Sequence, residues 1–480
     1  MQQEAVKRKT SDHSEDPGLN TRPAARRNRE LRIKEIIFAA RQVFQEDGYT
    51  GFATRRVADR VGITQGNLQY YFRTKEELLR AALLAFMNQT VDDYAAIANQ
   101  PGISATRRCT ALVERIFRNV NETDLPKFMV EVWAFARHEP YAAELIGDMY
   151  ARYRGIFEAL LSEIHPELTS DESMVRASVI VSQIDGMTIF ASHGEFPEKD
   201  YAEFVRLTKR VVKAIVSMPA QMLERERSLL VPSTRHLRDS NLHAGIMGSD
   251  GPSQQGRLDL RTHQSAQDAL YYRPTAQGRR REIKINEIIS TATTLLASEG
   301  YANFTLAGVA RELGILPSAL QNYFPTHDDL LRSTIGAIGK LYLDRYAEIG
   351  KPSSKPALER LCEIAEDVFE EARDPEASRL WVEMFALALH SDLARELVRS
   401  VYVAYRALCA DLIREIDPSA TARECLARAT LIAAQVDGAG TLMLGEQKRL
   451  ANMDHVFSLM MNVAIRIAHG SMTTGELAPT

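Results

Sequence analysis

Between Thr54 and Lys75 the chain runs Thr-Arg-Arg-Val-Ala-Asp-Arg-Val-Gly-Ile-Thr-Gln-Gly-Asn-Leu-Gln-Tyr-Tyr-Phe-Arg-Thr-Lys, and its residues fall into two chemistries. Val57, Ala58, Val61, Leu68, Tyr71 and Phe72 recur at helical spacing and read as inward positions. Most of what remains is polar or cationic. Gln65 and Asn67 carry amides that can pair with base edges, while Gly66 lets a backbone approach closely. Thr54, Arg55, Tyr70 and Lys75 offer hydroxyls or cations of the kind that hold phosphate oxygens. The N-terminal amides of two short helices add to that surface. Arg22, Arg26 and Arg27 form a basic arm ahead of it, suited to a phosphate backbone or a minor groove.

These side chains need a rigid support, and the flanking pattern supplies one. Ile33, Ile36, Ile37, Ala40 and Phe44 form a helical stripe closed by Gly48. Thr54 is expected to cap a first short helix, Gly62-Ile63 to turn the chain into a second, and Thr74 to start a long one. Two short helices with a third beneath are the helix-turn-helix arrangement, whose second helix fits a DNA major groove. From there to about 225 the pattern is almost wholly helical, interrupted near Pro101, Pro126, Pro140, Pro166 and Pro197. No run of alternating residues predicts a sheet, so the expected fold class is all-α.

The chain then repeats itself at a constant offset of 252 residues. Arg29-Glu30, Gly48-Tyr49, Val57-Ala58, Gly62-Ile63, Leu68-Gln69 and Tyr71-Phe72 return as Arg281-Glu282, Gly300-Tyr301, Val309-Ala310, Gly314-Ile315, Leu320-Gln321 and Tyr323-Phe324. Val130-Glu131, His138, Tyr150, Tyr153 and Asp185-Gly186 return as Val382-Glu383, His390, Tyr402, Tyr405 and Asp437-Gly438. Such a period indicates two copies of one architecture and excludes a short-repeat solenoid. The expected boundaries are a disordered leader 1–25, a helix-turn-helix domain 26–74, a regulatory domain 75–229, a flexible linker 230–275, a second helix-turn-helix domain 276–326 and a second regulatory domain 327–472.

Net charge is −4 over 480 residues, yet it is unevenly spread. From Arg22 to Arg80 thirteen basic residues face seven acids, whereas from Arg273 to Arg332 seven face six. Four cysteines without Cys-x-x-Cys spacing argue against zinc and against a disulfide framework. No uninterrupted apolar stretch approaches a membrane span, and no catalytic signature is present. A cytoplasmic, non-enzymatic protein without metal or cofactor is expected.

From Arg29 to Leu79 the chain resembles the DNA-binding domain of the TetR family of bacterial regulators. Gly62-Ile63-Thr64-Gln65-Gly66-Asn67-Leu68, Tyr71-Phe72 and Lys75-Glu76-Glu77-Leu78 are similar to that family's turn, recognition helix and fourth-helix start. The resemblance implies DNA contacts at Thr54, Arg55, Gln65, Gly66, Asn67, Gln69, Tyr70, Tyr71 and Lys75. It also implies an effector-binding domain that dimerises through its last two helices, hence an internal pseudo-dimer here, with a homodimer of whole chains left open. The second copy departs from the pattern. Leu306, Ala307 and Gly308 replace Thr54, Arg55 and Arg56, and the corresponding contacts Pro317, Ser318, Ala319, Gln321, Asn322, Tyr323 and His327 are expected to be weakened.

Met129, Trp133, Tyr150, Tyr153, Phe157 and Met187 are candidates for a small-molecule pocket in the first regulatory domain, although at helical spacing such residues are more often plain core. Asp185-Gly186 and Asp437-Gly438 are read as close helix crossings at a seam, and His138 as a solvated helix end. The expected function is a ligand-responsive regulator, in the first instance a repressor, acting on an asymmetric duplex operator with its heads about one DNA turn, roughly 34–36 Å, or somewhat farther apart. A ligand-binding scaffold with little intrinsic DNA binding is the alternative.

Overall fold

Glycines in the left-handed region punctuate the helices where the sequence breaks its apolar stripes: Gly48 and Gly62 in the first copy, Gly300 and Gly314 in the second. The computed structural model describes residues 21–193, 198–218, 279–443 and 453–472, which form eighteen helices and no strand among the described residues. The all-α expectation holds. The expected linker 230–275 and most of the expected leader lie outside the described residues. The described chain divides into two units, 21–47 with 51–85 and 48–50 with the remainder from 86.

In the first unit, α1 (Thr21–Gly51) is kinked at Gly48 and leads to α2 (Thr54–Val61), α3 (Gln65–Tyr71) and the start of α4 (Lys75–Ala98). Helix begins at Thr21, ahead of the boundary expected at residue 26. A proline is tolerated in a first turn, and the Arg26–Glu30 pair one turn apart supports the charged run as helix. Ile36, Ala40, Phe44, Phe52, Val57, Leu68 and Leu78 are buried together as its core. Thr54 does not cap α2. Ala53 holds that position, and the Thr54 hydroxyl accepts from Gln65 Nε2 at 2.9 Å instead. Thr64 caps α3 through the Asn67 amide at 3.2 Å, and Thr74 accepts from the Glu77 amide at 3.0 Å.

The second unit contains α5 (Ala105–Glu122), α6 (Leu125–His138), α7 (Pro140–Ile164), α8 (Ser170–Ser192) and α9 (Glu198–Ser217). It also contains the second copy, α10 (Arg279–Glu299), α11 (Leu306–Glu312), α12 (Pro317–Gln321), α13 (His327–Gly350), α14 (Ala357–Arg373), α15 (Pro375–His390), α16 (Asp392–Ile416), α17 (Ala422–Leu442) and α18 (Met453–Ala468). Each helix of the first copy thus has its counterpart nine helices on.

The centre of this unit is the crossing of α8 on α17, flanked by α9 and α18. Glycine makes the crossing: a Cβ on Gly186 would overlap the Ala434 carbonyl, and one on Gly438 would overlap the Ser182 carbonyl. Ser182 Oγ donates to the Gln435 carbonyl at 2.9 Å, and Gln183 Nε2 to the Leu431 carbonyl at 3.2 Å. The close-crossing reading of both Asp-Gly pairs is therefore met. By length and composition alone helix α8 could cross a membrane, but Arg176 and Asp185 interrupt its apolar run, in keeping with the sequence expectation, and 83% of the window is buried in protein. It is a central core helix, buried on nearly every side, with its few polar side chains inside the protein.

Candidate nucleic-acid interface and ligand cavity

On the first head the outward face is built by α2 and α3. Arg55, Gly66, Asn67, Gln69, Tyr70 and Lys75 are exposed, whereas Thr54, Gln65 and Tyr71 are half-buried. Tyr70 is 70% exposed although it is a large aromatic, and the Arg29 guanidinium lies over its ring at 5.7 Å. Core packing does not account for a ring so exposed. Not every cation counted in the sequence is available. Arg60 pairs with Glu46 at 2.6 Å, holding that carboxyl below its usual range, and Arg56 pairs with Asp47 and Glu46. Among the α2 arginines Arg55 keeps its charge clear of these acids. The Thr54–Gln65 bond fixes the Gln65 amide at the start of α3, which sets its direction before any partner arrives.

The second head keeps the core and loses this surface. Helix α12 has five residues against seven in α3, and its N-cap is Leu316, 72% exposed and without a side-chain hydrogen bond. Pro317 opens the helix, where its missing N–H costs nothing. Ser318, Gln321 and Asn322 are exposed, and Ala319 and Tyr323 half-buried. His327, at the place of Lys75, is tied to its own head: Nε2 lies 2.9 Å from the Phe304 carbonyl. Arg281 is likewise engaged, stacking over Tyr323 at 5.0 Å and donating to the Asn322 carbonyl at 3.0 Å.

A reciprocal polar cluster joins the two copies within the second unit. Glu131 on α6 and Glu383 on α15 are wholly buried. Glu131 accepts from the Tyr49 amide at 3.0 Å and lies 2.6 Å from His390 Nε2. Glu383 accepts from the Tyr301 amide at 2.9 Å and lies 2.8 Å from His138 Nε2. The two tyrosine rings meet edge-on at 5.2 Å, and burial beside the carboxylates pushes both phenols far above their usual range. His138 is thus no solvated helix end; its partner lies 245 residues away in sequence.

A cavity of about 80 Å³ opens among α13, α14, α15, α16 and α17. Its walls include Tyr342, Tyr346, Trp381, Phe385, Tyr402 and Tyr405, and Trp133 and Ile189 reach it from the first copy. Of the first-copy pocket candidates, Trp133 therefore lines a cavity, but in company with the second copy's helices. Met129, Tyr150, Tyr153, Phe157 and Met187 are buried. Trp133 Nε1 donates to the Tyr150 hydroxyl at 3.1 Å, and Asp185 accepts from Thr441 Oγ1 at 2.7 Å. Desolvation raises the Asp185 carboxyl to about 7, against the opposing hydrogen bonds of Thr441 and Tyr150. No cluster of metal-ligating side chains occurs among the described residues.

Comparison with known proteins matches each copy separately. The model of bacterial regulatory proteins of the tetR family matches residues 36–82 and again 288–334. That of the BetI-type transcriptional repressor C-terminal domain matches 105–217 and again 357–454. The chain belongs to the TetR family. It is similar to the HTH-type transcriptional regulator BetI of Escherichia coli O17:K52:H18, with 26% identity over 167 residues, 34% of this chain and 83% of the relative. The same-named regulator of Cronobacter sakazakii is 26% identical over 164 residues, 34% of this chain and 80% of that protein. A solved transcriptional regulator from Pseudomonas aeruginosa PAO1 aligns with a TM-score of 0.34 at 16% identity, covering 38% of this chain and 91% of its own.

TetR regulators are non-enzymatic proteins that bind DNA, and this one is a DNA-binding transcription regulator with the whole TetR unit present twice. Two features of this TetR chain escape a motif reading. The cross-copy cluster was signalled by the survival of Gly-Tyr, Glu and His at one offset, but not its swapped pairing. The cavity was signalled by smaller residues in the second copy.

Proposed function

We propose that the chain is a ligand-responsive repressor that acts as an internal pseudo-dimer on an asymmetric operator. One observation carries this reading: two heads with the same buried core present different outward faces. The first has Arg55, Asn67, Gln69, Tyr70 and Lys75 exposed around α3. The second has an exposed Leu316, a five-residue helix and a histidine bound to its own backbone. Gln65 and Asn67 read base edges, Thr54, Arg55, Tyr70, Tyr71 and Lys75 hold phosphates, and Gly66 and Gln69 lie at the groove. The second head contributes weaker contacts from Ser318, Gln321 and Asn322.

The α8–α17 crossing with α9 and α18 supplies the seam that a TetR dimer builds from two chains, so one cytoplasmic chain suffices for one operator. Effector binding to the regulatory helices would favour a head spacing that no longer matches successive grooves, and DNA would be released. The test is a salt titration of DNA affinity. Arg55→Ala and Lys75→Ala should each weaken binding and lower the salt slope by about one unit. Unchanged affinity in both variants would favour the scaffold reading instead.

A further inference from the structure

The two regulatory halves fill the same space with residues of different size. At the 252-residue offset, Ile116, Val120, Met149, Ile184 and Thr188 correspond to Val368, Ala372, Val401, Val436 and Gly440, all of which line the cavity. Elsewhere in the same halves Phe157 and Met187, both wholly buried, correspond to Cys409 and Ala439. The exchange removes methylenes and one ring from the second half. Trp381 in place of Met129 and Tyr342 in place of Thr90 go the other way, adding aromatic wall around the space so made.

Polar groups differ in the same sense. In the first half Trp133 donates to Tyr150, and Thr441 to Asp185. In the second half Phe385 stands where Trp133 stands and Ile189 where Thr441 stands, so the indole and hydroxyl of the first half are not repeated at those two positions, and Asp437 lines the cavity.

We infer that the chain carries one effector site, in its second half, formed for a compact neutral or cationic hydrogen-bond donor. The site deepens the ligand-responsive reading above and rests on it for its regulatory meaning. The walls decide the class of ligand. Asp437, Glu371 and the tyrosine hydroxyls are acceptors at the lining, and no lysine, arginine or histidine lines it. Arg345 is held by Asp367 at 2.9 Å and by Glu371, and it stacks on Tyr342 and Tyr346. A carboxylate or phosphate entering the site would lose its hydration against aromatic faces and a like charge, whereas an ammonium or hydroxyl finds acceptors. The volume is about half that of an engineered cavity known to admit benzene, so the ligand has on the order of five non-hydrogen atoms.

The same halves divide the work inversely: the first keeps the exposed amide and cation face, and the second keeps the cavity. Helix α15 connects the two roles, since Ser378 lines the cavity and accepts from Arg137 of the first copy at 2.5 Å, while Glu383 on the same helix holds His138.

The test is made on the full chain without DNA, so that its failure is separate from failure of the DNA-binding reading. The two tryptophans of the sequence, Trp133 and Trp381, both line the cavity and report on it by fluorescence. Three probes of equal chain length are titrated: n-butylamine, n-butanol and butyrate, with calorimetry for stoichiometry. At least one of the two donors should give a saturable change at one site per chain, with butyrate at least tenfold weaker. Gly440→Thr and Ala372→Val restore the first-half residues; a Cβ at Gly440 meets only Ser378 Oγ at 3.9 Å, so the added atoms enter the cavity. Each should weaken donor binding at least tenfold while the melting temperature holds or rises. Equal binding of butyrate, two sites per chain, no saturable response to either donor, or indifference to both filling variants would overturn the inference.

Discussion

The Tyr49 hydroxyl reaches Glu383 Oε2 at 3.2 Å across the two copies, although Tyr49 receives its backbone contact from Glu131 of its own copy. The reciprocal Tyr301 hydroxyl lies 3.4 Å from Glu131 Oε2. Each buried carboxylate is thus shared by a tyrosine amide, the other copy's tyrosine hydroxyl and the other copy's histidine. Removing a partner leaves a buried acceptor unsatisfied, which costs about 1–3 kcal/mol.

His138→Ala and Glu383→Gln should each lower stability by an amount in that range, measured by urea unfolding. In a double-mutant cycle their effects should fall short of additivity by at least about 0.5 kcal/mol, as contacting residues do. Additive losses would show that the pair does not act as a unit.

At the seam, Gly186→Ala and Gly438→Ala place a methyl group on a backbone carbonyl of the opposing helix. The helices must part, and overpacking of this kind costs about 1–3 kcal/mol or more. A fall in melting temperature of several degrees is expected for each, whereas Gly66→Ala, which meets nothing within 4 Å, should leave it unchanged. Equal tolerance at all three positions would contradict the close crossing.

The Asp185 carboxyl gives stability a defined pH dependence. Unfolded, it releases its proton near 3.8; folded, it keeps the proton to about 7 because burial penalises the charge. The native state therefore binds more protons across this window, and its stability falls as pH rises through it, by at most about 1.4 kcal/mol per unit for this group. Asp185→Asn should reduce the fall in unfolding free energy between pH 4 and pH 7. An unaltered profile in that variant would show that Asp185 titrates normally.

Much of this architecture is legible in the chain because local chemistry determines it. Val57, Ala58, Leu68 and Phe72 at helical spacing, with Gly62 between, give the helix-turn-helix, and a constant offset gives its duplication. Boundaries that depend on one hydrogen bond were less legible. Thr54 has the chemistry of a cap, yet Gln65 eleven residues away takes its hydroxyl. Long-range pairing was the least legible: nothing near His138 names Glu383, and nothing near Trp133 shows that its ring borders a cavity of the other copy.

Charge contributions to DNA binding should also be unequal between the heads. Lys75→Ala is expected to lower the salt slope by about one unit, while His327→Ala, whose ring already bonds the Phe304 carbonyl, should leave it unchanged. Filter binding or anisotropy from 50 to 200 mM salt reads both. A matching loss in the two variants would mean that the second head holds phosphates as the first does.

The most direct measurement is hydroxyl-radical footprinting on the operator, combined with single base-pair changes in each half-site. A strong and a degenerate half-site are expected: changes in the half bound by α3 should cost about 1–3 kcal/mol each, and changes in the half facing α12 distinctly less. Two half-sites equally protected and equally sensitive would contradict the division between a reading head and its altered twin.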